Sequence, residues 1–125
     1  MKSATTFLMF QGQAHEAILQ YKQWFPELTI ENLTYVEDTQ QVAMAEIDLK
    51  GLKIMMNDSS IKHAFSFTPA VSIFLACETI EEIESLVAQI VDGGQALMPL
   101  DNYGFSKQFA WIQDRFGVSW QLTYN

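Results

Sequence analysis

The sequence predicts an α+β fold built from two βαβββ modules, and three observations predict it. Apolar runs with a two-residue period alternate with stretches of helical period. The order strand, helix, strand, strand, strand occurs twice. An offset of 65 residues lays Leu8 on Ile73, Phe10 on Leu75, Glu16 on Glu81 and Ile18 on Ile83. The 125 residues thus form a single domain of two modules, about 1–60 and 66–125. Each module gives a curved mixed sheet with a helix on its outer face, and the concave faces are expected to enclose a cleft.

The elements follow in order. Thr5–Phe10 is a buried strand ended by Gln11-Gly12. From Ala14 the period changes: Ala14, Ala17, Ile18, Tyr21, Trp24 and Phe25 share one helical face, and Pro26 stops the helix. Leu28–Val36 and Gln41–Leu49 are strands joined by polar residues, and a Lys50-Gly51 turn leads into Leu52–Asn57. Asp58–Pro69 lacks a period and reads as a loop, long enough for a functional or crossing segment.

The second module opens on the apolar strand Ala70–Ala76. Thr79-Ile80-Glu81-Glu82 is a capping box before the helical stripe Ile80, Ile83, Leu86, Val87, Ile90, Val91, which Gly93-Gly94 end. Three short strands close the chain: QALMPL, KQFAWIQ and VSWQLTY. In Asp114-Arg115-Phe116-Gly117 the aspartate suits the first position of a type I turn and Gly117 the left-handed position after it. Beyond the turn Val118, Trp120, Leu122 and Tyr124 take one face, and Ser119, Gln121 and Thr123 the other. Trp111 falls opposite or nearly opposite Trp120, depending on bulge register, which allows the two indoles to pack across the ladder; the alternative is that both are core under a helix.

Composition narrows the function. Residues of hydrophobic type make up 49% of the chain, enough for a full core. A net charge of −8 argues against nucleic acid, which demands surplus Lys and Arg, and against an anionic membrane surface. Cys77, the only cysteine, can form no internal disulfide and reads as a small core residue rather than a nucleophile. The N-terminal run is too short for a membrane span and lacks a cleavage site after a proper apolar region, so a cytoplasmic protein is expected.

Three segments carry a family resemblance: FLMFQGQAHEAILQYKQWFP (Phe7–Pro26), VSIFLACETIEEIE (Val71–Glu84) and WIQDRFGVSWQL (Trp111–Leu122). Together they resemble the vicinal oxygen chelate superfamily of glyoxalase I, extradiol dioxygenases and fosfomycin- and bleomycin-resistance proteins. Within it they are similar to the PhnB-like branch, whose members often bear the name 3-demethylubiquinone-9 3-methyltransferase. The resemblance implies a glyoxalase-like fold and a homodimer. The methyltransferase name finds no support in the residues, since Gly12 alone stands in the first strand-to-helix turn and the strand order is not that of a doubly wound sheet.

Metal-using members of the superfamily place His, Gln or Glu on the first and last strands of each module. Here the last strand offers Gln121 where those relatives usually have glutamate, and the first strands offer Thr5, Thr6 and Phe7, or Val71 and Ser72. By the same offset the counterpart of Gln121 is Met56, with Asn57 beside it. One amide with hydroxyls is too neutral a set for a catalytic transition metal, so no metal and no cofactor are expected. His15 reads as a solvated surface residue. The candidate ligand-binding residues are Gln121, Ser72, Asn57, Asp58, His63 in the long loop, and Tyr103 in LDNYGFSKQF.

Three functions compete. The first is metal-independent binding of a small organic molecule, with six Met and nine Phe available to line a cavity; the acidic composition suits a cationic ligand. The second is a metal-dependent lyase, isomerase or dioxygenase holding a divalent metal. The third is a non-catalytic dimeric interaction protein.

Overall fold

The computed structural model describes residues 1–125. Its elements are β1 (Thr6–Phe10), α1 (Ala14–Trp24), β2 (Thr29–Tyr35), β3 (Val42–Leu49), β4 (Leu52–Asp58), β5 (Ser72–Cys77), α2 (Ile80–Ile90), β6 (Gln95–Asp101), β7 (Gln108–Gln113) and β8 (Ser119–Tyr124). They fall into two compact units, Met1–Ala64 and Phe65–Asn125. Each unit is a βαβββ module with one four-stranded sheet, ordered β1-β4-β3-β2 in the first and β5-β8-β7-β6 in the second. The fold is therefore α+β and made of two like modules. No helix is long and apolar enough to cross a membrane.

In the first unit β1 runs parallel to β4, with Leu8 beside Met56, and β3 is antiparallel to β4, with Ala45 beside Met56 and Ile47 beside Ile54. These positions share one sheet face with Phe10, and all are buried with Ala14, Ala17, Ile18, Tyr21 and Trp24 of α1. The helical stripe and the two-residue strand period thus meet in one core. Lys50 (φ 54) and Gly51 (φ 95) form the tight β3–β4 turn, and Asp48 Oδ1 accepts the Gly51 N–H at 2.8 Å.

The second unit repeats the plan. Ile73 lies beside Trp120 and Leu75 beside Leu122 in the parallel pair, while Ile112 faces Trp120 and Ala110 faces Leu122 in the antiparallel one. Ile83 and Ile90 of α2 complete this core, in which Trp120 is 1% exposed. Thr79 Oγ1 accepts the Glu82 N–H at 3.0 Å, as the capping box predicts. The reciprocal bond is displaced by one residue: the Glu82 carboxylate accepts from the N–H of Glu78 at 2.8 Å rather than from Thr79.

Helix α1 has no such local cap, because Gln13 offers its backbone no side-chain bond. The cap comes instead from the end of β4. Asp58 Oδ1 accepts the N–H groups of Gly12 and Ala14 at 2.8 and 3.0 Å, and Oδ2 accepts that of Val42 at 2.9 Å. One buried carboxylate therefore fixes the start of α1 and the start of β3, with its charge at the positive end of the helix.

Candidate functional site

The closing hairpin organises the second unit. Asp114 N–H donates to Val118 O at 2.8 Å and Gly117 N–H to Asp114 O at 2.9 Å, with Gly117 left-handed at φ 95. Asp114 Oδ1 accepts the N–H groups of Phe116 and Val118 at 2.9 and 3.0 Å, while Oδ2 accepts the Trp120 indole N–H at 2.9 Å. This turn sets Gln113 beside Ser119, so Trp111 pairs with Gln121 and Trp120 with Ile112. Trp120 is a core residue, and of the registers the sequence leaves open the one adopted does not pack Trp111 on it. A register different by one residue puts the two indoles on opposite faces of the sheet.

The face turned away from α2 carries Ser119 and Gln121 of β8, Trp111 and Phe109 of β7, and Ser72 and Phe74 of β5. Its polar groups form one network. Trp111 Nε1 donates to Ser119 Oγ at 2.8 Å, the Ser72 and Ser119 hydroxyls lie 2.7 Å apart, and Gln121 Nε2 donates to Ser72 Oγ at 3.2 Å. With Pro69 O at 3.4 Å from Ser72 Oγ, a consistent proton order runs from Trp111 through Ser119 and Ser72 to that carbonyl. The network leaves the Gln121 amide oxygen as its unused acceptor. Apolar groups border it. Phe74 is 60% exposed, and Phe109 meets Phe105 edge-on at 5.0 Å. Tyr103 stacks on Phe105, and its hydroxyl donates to Pro99 O at 2.5 Å.

The first unit offers a different set. Met9 of β1 lies beside Asn57 and Phe74 of β5 beside Gln121. The counterpart of Gln121 is therefore Asn57, not Met56. The chain between first and last strands is one residue longer in the first module, so the offset that matches β1 to β5 slips by one at β4 and β8. Met56 matches the core residue Trp120 instead. Asn57 Oδ1 is buried and has no hydrogen-bond partner.

The sequence candidates thus separate. Ser72 and Gln121 are joined directly, and Ser119 and Trp111, which were not among the candidates, complete their network. The alternation after Gly117 places Ser119 on the face of Gln121, but its partner Trp111 is set by the register. Asp58 has both carboxylate oxygens engaged by backbone N–H groups and acts as an anchor. His63 Nε2 lies 3.0 Å from Ser59 Oγ within the loop after β4, and His15 Nδ1 lies 2.9 Å from the Tyr35 hydroxyl. Burial and the nearby Glu82 carboxylate push the Cys77 thiol up to about 11, the opposite of what a nucleophile requires.

The donors suit a metal poorly. No group of three or more His, Cys, Asp or Glu side chains is arranged to hold one. At the last-strand positions stand two neutral amides, flanked by hydroxyls in one sheet and by thioethers in the other, and none of these offsets the charge of a divalent transition metal.

The doubled βαβββ plan, with one four-stranded mixed sheet in each unit, defines a protein of glyoxalase-like fold. Residues 2–123 match the model of the family described as 3-demethylubiquinone-9 3-methyltransferase, and the chain belongs to that PhnB-like family. The Bacillus cereus PhnB protein is 40% identical, with a TM-score of 0.93 over 99% of this chain and 100% of that one. Protein PA1353 of Pseudomonas aeruginosa, 23% identical, superposes with a TM-score of 0.87 over 100% and 98% of the two chains. The fosfomycin resistance protein FosX of Listeria monocytogenes, solved with Mn(II) and 1S,2S-dihydroxypropylphosphonic acid, shares the fold at 12% identity, with a TM-score of 0.64 over 98% and 92%. No curated protein matches the chain in sequence.

Proposed function

We propose that this protein binds a small, largely apolar organic molecule without a metal ion, on the face of the second sheet that bears Ser72 and Gln121. The observation that carries this reading is the neutral Trp111–Ser119–Ser72–Gln121 network. It is hydrogen-bonded within itself, sits among aromatic side chains, and offers a single amide acceptor. Apolar walls with a few fixed polar groups are the usual make-up of an organic ligand site. A methyl-transfer reading has less behind it. Each sheet has one parallel strand pair, and no glycine-rich turn leads from a strand into a helix.

The same family resemblance supports a homodimer, as do the exposed apolar residues Val71 and Phe74 at the edge strand β5. Light scattering after size-exclusion chromatography is expected to give twice the chain mass.

The binding reading is tested by thermal shift against a panel of divalent metals and small amphipathic aromatic compounds, alongside elemental analysis. Stabilisation by an organic compound, reduced in Gln121→Ala, with no metal-dependent shift, is the expected result. Stoichiometric metal in the purified protein that is lost in Gln121→Ala overturns it and favours the metal-dependent enzyme.

A further inference from the structure

The first sheet repeats the second sheet's plan with one consequential change. The counterparts of Ser72 and Ser119, which sit side by side in the second sheet, are Phe7 and Met55, paired in the first. Across β4, continuing the register past Ala45 and Met56, the neighbour of Asn57 on β3 is Met44. Neither a thioether nor a phenyl ring can donate a hydrogen bond to an amide oxygen. The Gln121 amide N–H has an acceptor in Ser72 Oγ, whereas Asn57 Oδ1 is buried with no donor beside it. It is the chain's one buried side-chain oxygen or nitrogen without a hydrogen bond.

We propose that Asn57 Oδ1 accepts a hydrogen bond from a small aromatic ligand bearing a hydroxyl or N–H group, held on the first sheet's helix-free face. A buried acceptor requires a donor, and the surroundings specify the rest of the molecule. Met9, Met44 and Met55 are half-buried and Phe7 is 46% exposed, all on the face of Asn57. Polarisable thioethers pack well against ring edges and adapt to irregular shapes. Glu46 lies beside Met55 on the same face, so an anionic ligand meets a like charge and an acceptor rather than a donor. The ligand class is accordingly a neutral or cationic aromatic with one donor. This inference uses a different sheet and different residues from the Ser72–Gln121 network and stands or falls separately from it.

The test uses the whole protein with carbon-13 methionine methyl groups, titrated with 2-naphthol and with 2-methoxynaphthalene, which differs by lacking the donor. The expected result is movement of the Met9, Met44 and Met55 methyl signals, with 2-naphthol binding about five- to tenfold tighter than the ether. Asn57→Leu is expected to erase that preference and Asn57→Asp, which keeps an acceptor, to retain it. The proposal is overturned if neither probe moves them, meaning that water alone serves Asn57. It is equally overturned if the wild-type protein does not prefer 2-naphthol, or if the preference survives Asn57→Leu.

Discussion

The Trp120 indole nitrogen donates to Asp114 Oδ2 at 2.9 Å, tying the core of the second unit to the turn that ends its sheet. The other carboxylate oxygen of Asp114 holds the Phe116 and Val118 N–H groups. Turn geometry and core packing thus depend on the same buried side chain, and register follows from both.

Asp114→Ala orphans three donors and is expected to destabilise the protein by about 3 kcal/mol or more in urea unfolding followed by circular dichroism. Asp114→Asn keeps an acceptor for the two backbone groups but presents an amide N–H to the indole. Its cost is expected to be smaller, and less than additive with Trp120→Phe, which removes the indole donor. Additive costs for the two substitutions would show that the 2.9 Å contact contributes nothing to stability.

Gly94 is fixed by a close approach rather than by a turn. A Cβ there would lie 2.2 Å from the backbone oxygen of Gln113 and 3.0 Å from Asp114 Cα. No rotamer relieves a clash with main chain, so α2's exit or β7's end has to move. Gly94→Ala is expected to cost about 3 kcal/mol in the same unfolding assay. Gly12→Ala meets no atom within 4 Å, and its smaller cost comes from its left-handed backbone (φ 106) alone.

Much of this architecture was legible because the local signals agreed. The stripe from Ala14 to Trp24 is buried as its spacing requires, Thr79 caps α2, and the alternation after Gly117 assigns Ser119 and Gln121 to one face. What the sequence did not reveal depends on single-residue register. The indoles of Trp111 and Trp120 part because the turn sets Gln113 against Ser119, and Asn57 rather than Met56 matches Gln121 because one module carries an extra residue. Asp58 was obscured for another reason. Its three bonds reach residues 16 to 46 positions away, and no local pattern encodes a helix cap supplied by a strand end.

Cys77 gives a prediction in pH. Its thiol is raised from 9.0 to about 11, chiefly by burial and then by the Glu82 carboxylate. The folded state holds the proton more tightly than the unfolded chain. The stability tied to this group is complete below pH 9.0 and is lost as pH rises towards about 11. At pH 8 the thiolate fraction falls by about a hundredfold relative to an unshifted thiol, and alkylation by iodoacetamide is expected to slow accordingly. Unfolding in urea restores fast labelling; equal rates in the folded and unfolded protein would contradict the shift.

Ser119 and Gln121 belong to one network but are expected to separate stability from binding. Ser119 is buried and serves two partners, the Trp111 indole and the Ser72 hydroxyl. Ser119→Ala leaves the indole N–H without an acceptor, and a loss of about 1–2 kcal/mol is expected. Gln121 is half-buried at the end of the network, and its one bond there, to Ser72, is long at 3.2 Å. Gln121→Ala is expected to change stability by less than about 0.5 kcal/mol, as for a substitution outside the core. Its effect should fall on ligand-dependent stabilisation, because it removes the amide acceptor that the network leaves unused. If Gln121→Ala destabilises as much as Ser119→Ala and leaves ligand stabilisation intact, the glutamine is a structural residue.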